Sequence, residues 1–308
     1  MLFVSRAVCF APLHFFLKKK RARFFALAVV AICFSSPSRA LSQDVLRLAG
    51  SSTVNLAISE AVQTLRAERG LQIQVSTTGG STAGIDALGG GSADIAMVSH
   101  ALTGEERAAF PDVIFTEFQI GAQVVALGVS RDVWESGVHL LDRDQARKIY
   151  EKKIRNWHEL GGPDHKIAFF NFEENHGEWE MFAEWLYGDS SKAALGAFPT
   201  VANDEDARNT LEFTPGSITQ ISPVFIDGKN SFALEIRDDS GVRSSPKPAD
   251  VTAKKYPMAH PLILVVNDKP TQNVKVLIDF MLSARGQAML KKRGFFGAAE
   301  PGTAKTSK

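Results

Sequence analysis

The chain has 308 residues, with 35 Lys and Arg against 34 Asp and Glu, a formal net charge of +1, and 44% hydrophobic residues. That balance excludes a disordered polyanion and a polybasic nucleic-acid stripe, and the length suffices for one large or two medium domains. Two cysteines in the whole chain exclude a disulfide-dense scaffold.

The first forty residues differ from the rest. They hold seven basic residues (Arg6, Lys18, Lys19, Lys20, Arg21, Arg23 and Arg39) and no acidic one. The basic run precedes an apolar stretch from Phe24 to Phe34, and Ser38-Arg39-Ala40 puts small residues at the −3 and −1 positions of a cut after Ala40. This is the pattern of a cleaved secretory signal peptide, since a spanning helix needs about 20 apolar residues. Cleavage removes both Cys9 and Cys33 and leaves 28 basic residues against 34 acidic ones. The exported chain is then mildly acidic and free of cysteine nucleophiles, and its expected location is the periplasm.

From residue 45 the pattern alternates. Val45 to Ala49 reads as a short strand, ended by the loop Gly50-Ser51-Ser52-Thr53. Val54, Ile58, Ala61, Val62 and Leu65 fall on one face of a helix stopped by Gly70. Leu71 to Val75 alternates as a strand, Thr77 to Thr82 forms a loop, Ala83 to Leu88 begins a helix, and Asp94 to Val98 is again a strand. Units this short imply an α/β fold with a parallel sheet. In such sheets ligands sit at the carboxyl ends of the strands. Gly50-Ser51-Ser52-Thr53 and Gly79-Gly80-Ser81-Thr82 both join a strand end to a helix start. Hydroxyls, backbone N–H groups and a helix dipole suit an anion there, although the same residues also serve as plain N-caps.

Five segments in order carry a family resemblance. They are Gly50-Ser-Ser-Thr-Val54; Thr78-Gly-Gly-Ser-Thr-Ala-Gly-Ile85; Ser92 to Ser99 with Leu102 to Glu106; Ala146 to Tyr150 with Ile154 to Gly161; and Tyr256 to Ile263 with Val276 to Gly294. Together they resemble the phosphate-type periplasmic solute-binding proteins of ABC importers over residues 45–298. The resemblance implies a two-lobed type II periplasmic binding protein fold with two crossover hinge strands, expected near Ala122–Val129 and Leu262–Val266. Lobe one would be 44–125 plus 262–300, lobe two 126–261, and 301–308 a disordered tail.

It also implies a site. Ser52, Thr53 and Ser81 match the family's contacts from lobe one, and Ser99 with His100 stands where the family has Ser followed by Arg or Asp. In lobe two Phe172 replaces an expected Arg, and Asn175-His176-Gly177-Glu178 replaces a Gly-Ser-Gly-Thr turn. His176 and Glu178 therefore take the lobe-two ligand positions, and Glu173, Glu174 and Glu180 add negative potential. Three ligand readings stay open: phosphate or a related oxyanion; another ligand, such as an amine, or a metal held by His100, His176 and Glu178; and a sensor or structural partner with no small solute. The expected partner is an ABC transporter membrane permease, with no cofactor, no resident metal, no nucleic acid and a monomeric state. No His-Glu-x-x-His and no Gly-x-Ser-x-Gly occurs, so neither a zincin nor a serine-hydrolase elbow is readable, and no enzyme is expected.

Overall fold

A computed structural model describes residues 45–172, 176–193 and 198–298. The expected signal peptide with its cysteines, the tail 301–308, and Glu173, Glu174 and Asn175 lie outside these residues.

The chain opens with β1 (Leu46–Gly50), α1 (Ser52–Arg69), β2 (Ile73–Ser76), α2 (Gly80–Gly89), β3 (Ile95–Val98), α3 (Gly104–Ala108) and β4 (Thr116–Val124). β1 pairs in parallel with both β2 and β3, as short strand–helix units require. Val125 alone then separates β4 from β5 (Ala126–Ser130), which belongs to a second sheet.

That second body continues with α4 (Arg131–Glu135), β6 (Leu140–Asp142), α5 (Arg143–Tyr150), β7 (Ala168–Phe172), α6 (Gly177–Tyr187), β8 (Thr200–Val201), α7 (Asp204–Phe213) and β9 (Ser217–Ile221). β10 (Ser231–Ala233), β11 (Glu235–Arg237), β12 (Arg243–Ser244) and α8 (Pro248–Thr252) complete it. The chain returns as β13 (Ala259–Val266), and α9 (Gln272–Leu282), α10 (Ala284–Lys292) and β14 (Phe296–Gly297) close the first body.

The six-stranded sheet has the order β14-β4-β13-β3-β1-β2, with β13 antiparallel to both β3 and β4. The five-stranded sheet has the order β10-β5-β9-β7-β8, and β12-β11-β6 form a small third sheet. Both main sheets are mixed rather than purely parallel.

Side-chain alternation explains why β3 and β13 lie at the centre. Ile95, Met97, Leu262, Leu264 and Val266 pack on one face with Val54, Ile58 and Leu65 of α1 and Leu277 of α9. Ala96, Val98, Ile263 and Val265 face the other way, against Ile85 and Leu88 of α2 and Phe115. Strands covered on both faces read as unbroken apolar runs, which is what these two segments show. In the second body Leu127, Val129, Phe169 and Ile218 meet Tyr150, Trp157, Phe182 and Trp185. Phe172 and Ile221 meet Trp179, Ala207 and Leu211 on the opposite face.

The chain passes between the sheets at Val125 and Met258, tied by the Val125 N–H to the Met258 carbonyl at 3.0 Å. The Tyr256 hydroxyl also donates to the Val125 carbonyl at 2.9 Å. The return strand begins earlier than the apolar run at Leu262 suggests. Pro257 and His260-Pro261 hide its start in the sequence, yet Ala259 and His260 are already paired with Val124 and Gln123.

Candidate functional site

Two close approaches bring the first two loops together. Gly50 ends β1 at φ +131°, and a Cβ there would overlap the Met97 carbonyl of β3. A Cβ on Gly84 of α2 would come within 2.5 Å of the Ala49 carbonyl oxygen and 2.7 Å of Gly50 Cα. Only glycine at both positions lets α2 press on the end of β1, so the N-termini of α1 and α2 open at the same sheet edge.

At α1 the cap is Ser51, buried, whose side chain accepts from the Val54 N–H at 3.4 Å. Ser52 and Thr53, read from sequence as loop residues, lie in the first helical turn. Ser52 is exposed and Thr53 half-buried. At α2 the left-handed Gly79 precedes the helix; the Gly80 N–H donates to the Thr77 carbonyl at 3.3 Å, and no side chain caps the turn, which has the helix dipole behind it. Ser81 lies in that turn, not in a loop. Its hydroxyl accepts the Ser99 N–H at 3.3 Å and lies 3.3 Å from the Ser99 hydroxyl. The structure thus joins Ser81 to Ser99 across α2 and the end of β3.

His100 is engaged by a residue that sequence reasoning missed. Its Nε2 lies 2.9 Å from Glu106 Oε1. Burial pushes the Glu106 carboxyl up, but the Thr103 N–H and His100 outweigh it and leave the group below its ordinary value. The sequence signal was the Thr103-x-x-Glu106 capping box, which holds that carboxylate at the start of α3.

In the second body His176 precedes α6, which no side chain caps. His176 Nδ1 lies 2.6 Å from Glu178 Oε2, and its ring packs over Phe172 with centroids 4.6 Å apart. Phe172 is 1% exposed and sits in the core, so the position where the resemblance expects an Arg supplies no donor. His100 and His176 pair with separate carboxylates, and the described residues contain no group of three metal-ligating side chains.

His260 and Asp204 also belong to this cleft, and no sequence motif marks them. His260, in β13 opposite Gln123, lies 3.6 Å from Glu184 of α6. Burial pushes its imidazole below the ordinary value, against the pull of Glu184 and with a smaller push from His100. His100 of the first body, His260 of the return strand and the acidic face of α6 are therefore within electrostatic reach of one another. A cavity of about 240 Å³ opens beside them, lined among others by Arg143, Glu184, Trp185 and His260. Asp204, the first residue of α7, is pushed up to about 6, mainly by burial and further by Glu178, against the Ser222 N–H and His176. No motif marks it, because its setting comes from burial.

Chemically the site offers uncapped N–H groups, hydroxyls and imidazoles on one side, and a carboxylate paired to an imidazole on the other. Asp132 and His165 form a separate pair at 2.7 Å, with Asp132 also accepting the Gly216 N–H at 3.0 Å. That pair ties α4 to the start of β9.

Comparison with known proteins gives one consistent picture. A family model described as a PBP superfamily domain matches residues 35–285. The phosphate-binding protein PstS of Borreliella burgdorferi is 25% identical over 267 residues, covering 83% of this chain and 91% of that protein. The protein of the same name from Bacillus subtilis is 28% identical over 218 residues, covering 69% and 67%. Among solved structures, a protein from Planctomyces limnophilus described as a candidate phosphate binder superposes with a TM-score of 0.69 at 20% identity, covering 83% of this chain and 93% of that one. PstS from Borrelia burgdorferi superposes with a TM-score of 0.60 at 23% identity, covering 82% and 98%. At these identities the superpositions speak to the fold.

Proposed function

The chain belongs to the PBP superfamily, and from that premise we propose that it is an exported solute-binding protein of an ABC importer that takes phosphate or a related oxyanion into the cleft between its two sheets. The observation that carries this reading is the uncapped N-terminus of α2 with Ser81 and Ser99 drawn together beside it. Fixed N–H dipoles and hydroxyls at a helix start favour an anion without needing a cationic side chain. Relatives named as phosphate-binding proteins support the choice of oxyanion.

In this reading Ser52, Thr53, Ser81 and Ser99 donate from the first body, built from the segment up to Val124 and the segment from Ala259 onward. His100 and His176 donate from either side, each held in place by its carboxylate partner. Glu178 accepts from His176, so the charge at the start of α6 is shared rather than bare. The second body closes over the ligand by bending at Val125 and Met258. No residue is assigned a catalytic role. Residues 1–40 act as the export signal, and no helix among the described residues is long and apolar enough to cross a membrane. The protein works as a monomer that hands its solute to a membrane permease.

Calorimetry of the full chain against phosphate, sulfate, molybdate, amino acids and divalent cations tests the reading. Phosphate is expected to bind, and Ser81→Leu to weaken it at least about 100-fold by filling the N-terminal turn. No heat with phosphate at millimolar concentration, or unchanged affinity in Ser81→Leu, overturns it.

A further inference from the structure

Gly294 lies between α10 and β14, in the strap that closes the first body; Leu290 and Phe295 beside it belong to the core of the six-stranded sheet. Its own surroundings are residues of the other body. A Cβ on Gly294 would meet Phe225 Cε2 at 3.0 Å, Asp204 Oδ2 at 3.2 Å and Ser222 Cβ at 3.4 Å, and its φ is +84°. The Ser222 hydroxyl donates to the Gly294 carbonyl at 2.5 Å, and the Ser222 N–H donates to Asp204 Oδ1 at 2.7 Å. Ser222 is buried and Asp204 half-buried in this seam.

We propose that Asp204 is a positioning residue for ligand capture: with Ser222 it forms a latch that seats the Gly294 strap, joining the start of α7 to the opposite body as the cleft closes. The proposal rests on the oxyanion reading of the cleft for its ligand arm, but the latch itself is a contact between the two sheets. Within electrostatic reach of Asp204 are Glu178 of α6 and His176, which precedes that helix. The 3-10 turn at Pro223–Phe225 adds the Phe225 ring and no charge. From the strap comes the Gly294 backbone, preceded by Arg293. On α7 itself, Glu205 and Asp206 follow in the first turn.

The latch is proton-linked. Burial and Glu178 hold the Asp204 carboxyl near 6 in the seated form, whereas a solvated carboxyl titrates near its ordinary value of about 4. The seated form therefore gains stability as pH falls through about 6, and that gain is lost as pH rises past it. Fixing the carboxyl in its neutral form, as asparagine does, keeps the latch seated across that range.

The test replaces Cys9 and Cys33 with serine and introduces Asp279→Cys and Lys229→Cys, both exposed and one on each body, for spin-label distances. Without ligand, the short-distance population is expected to fall as pH goes from 5 to 7.5. In Asp204→Asn it stays high at both pH values, and in Ser222→Ala it is low at both. With inorganic phosphate, Ser222→Ala is expected to raise the off-rate about tenfold with little change in on-rate. An Asp204→Asn profile that tracks the parent, or a Ser222→Ala distribution equal to it, overturns the latch. If the distances behave as stated but phosphate does not bind, the latch stands and the oxyanion reading falls.

Discussion

At the scale of single residues, the partner of each polar side chain decides its role more than its type does. Glu178 lies at the positive end of α6, where an anion would sit, yet it is held by His176 at 2.6 Å and its side chain is only 14% exposed. Replacing it with glutamine keeps the shape and removes the like charge facing a bound oxyanion. Glu178→Gln is therefore expected to bind phosphate about tenfold more tightly at pH 7.5 by calorimetry. Equal or weaker binding would show that the carboxylate is a ligand contact rather than an opponent. Ser51 and Ser52 differ in the same way. The first is consumed by capping α1 and the second is left at the surface.

At the scale of elements, the site depends on a seam between a strand end and a helix. α2 contributes Ser81 only because Gly84 lets it ride on the Ala49–Gly50 backbone. A methyl at Gly84 cannot be absorbed by a flexible side chain, since its neighbours are main-chain atoms. Gly84→Ala is expected to cost about 2 kcal/mol in urea unfolding and to weaken phosphate binding about tenfold through displacement of Ser81. Ser51→Ala serves as the contrast. Losing the cap costs about 1 kcal/mol, with much smaller change in affinity, because the backbone of the seam is untouched. Equal effects of the two variants on affinity would mean that the Gly84 contact does not set the position of Ser81.

At the scale of the whole molecule, the two sheets are joined through β4, β13 and the short links at Val125 and Met258. All four tryptophans, Trp134, Trp157, Trp179 and Trp185, lie in the second body. Tryptophan fluorescence thus reports one body, while far-ultraviolet circular dichroism reports both. Because β4 and β13 carry core residues of the first sheet up to the link and the Gly294 strap is seated in the second body, the two signals are expected to change at one urea midpoint. A fluorescence transition separated from the dichroism transition would show that the bodies unfold independently.

How much of this was legible in the sequence follows from the range of the forces involved. Strand and helix order, the central apolar strands and the glycine turns before α1 and α2 are written in local periodicity and in residues that act on their own backbone, so the sequence alone determined the α/β class and put serines at the starts of α1 and α2. The ordered segments added the family resemblance. Tertiary structure decided the rest. It moved Ser52, Thr53 and Ser81 from loops into helical first turns, buried Phe172, gave His100 to Glu106 and His176 to Glu178, and sent the chain back between the sheets at Met258 rather than Leu262. It also raised Asp204 to importance by burying it beside Glu178 and against Gly294, 90 residues further along the chain. Burial and charge pairing depend on which distant segments meet, and no window of local sequence contains that information.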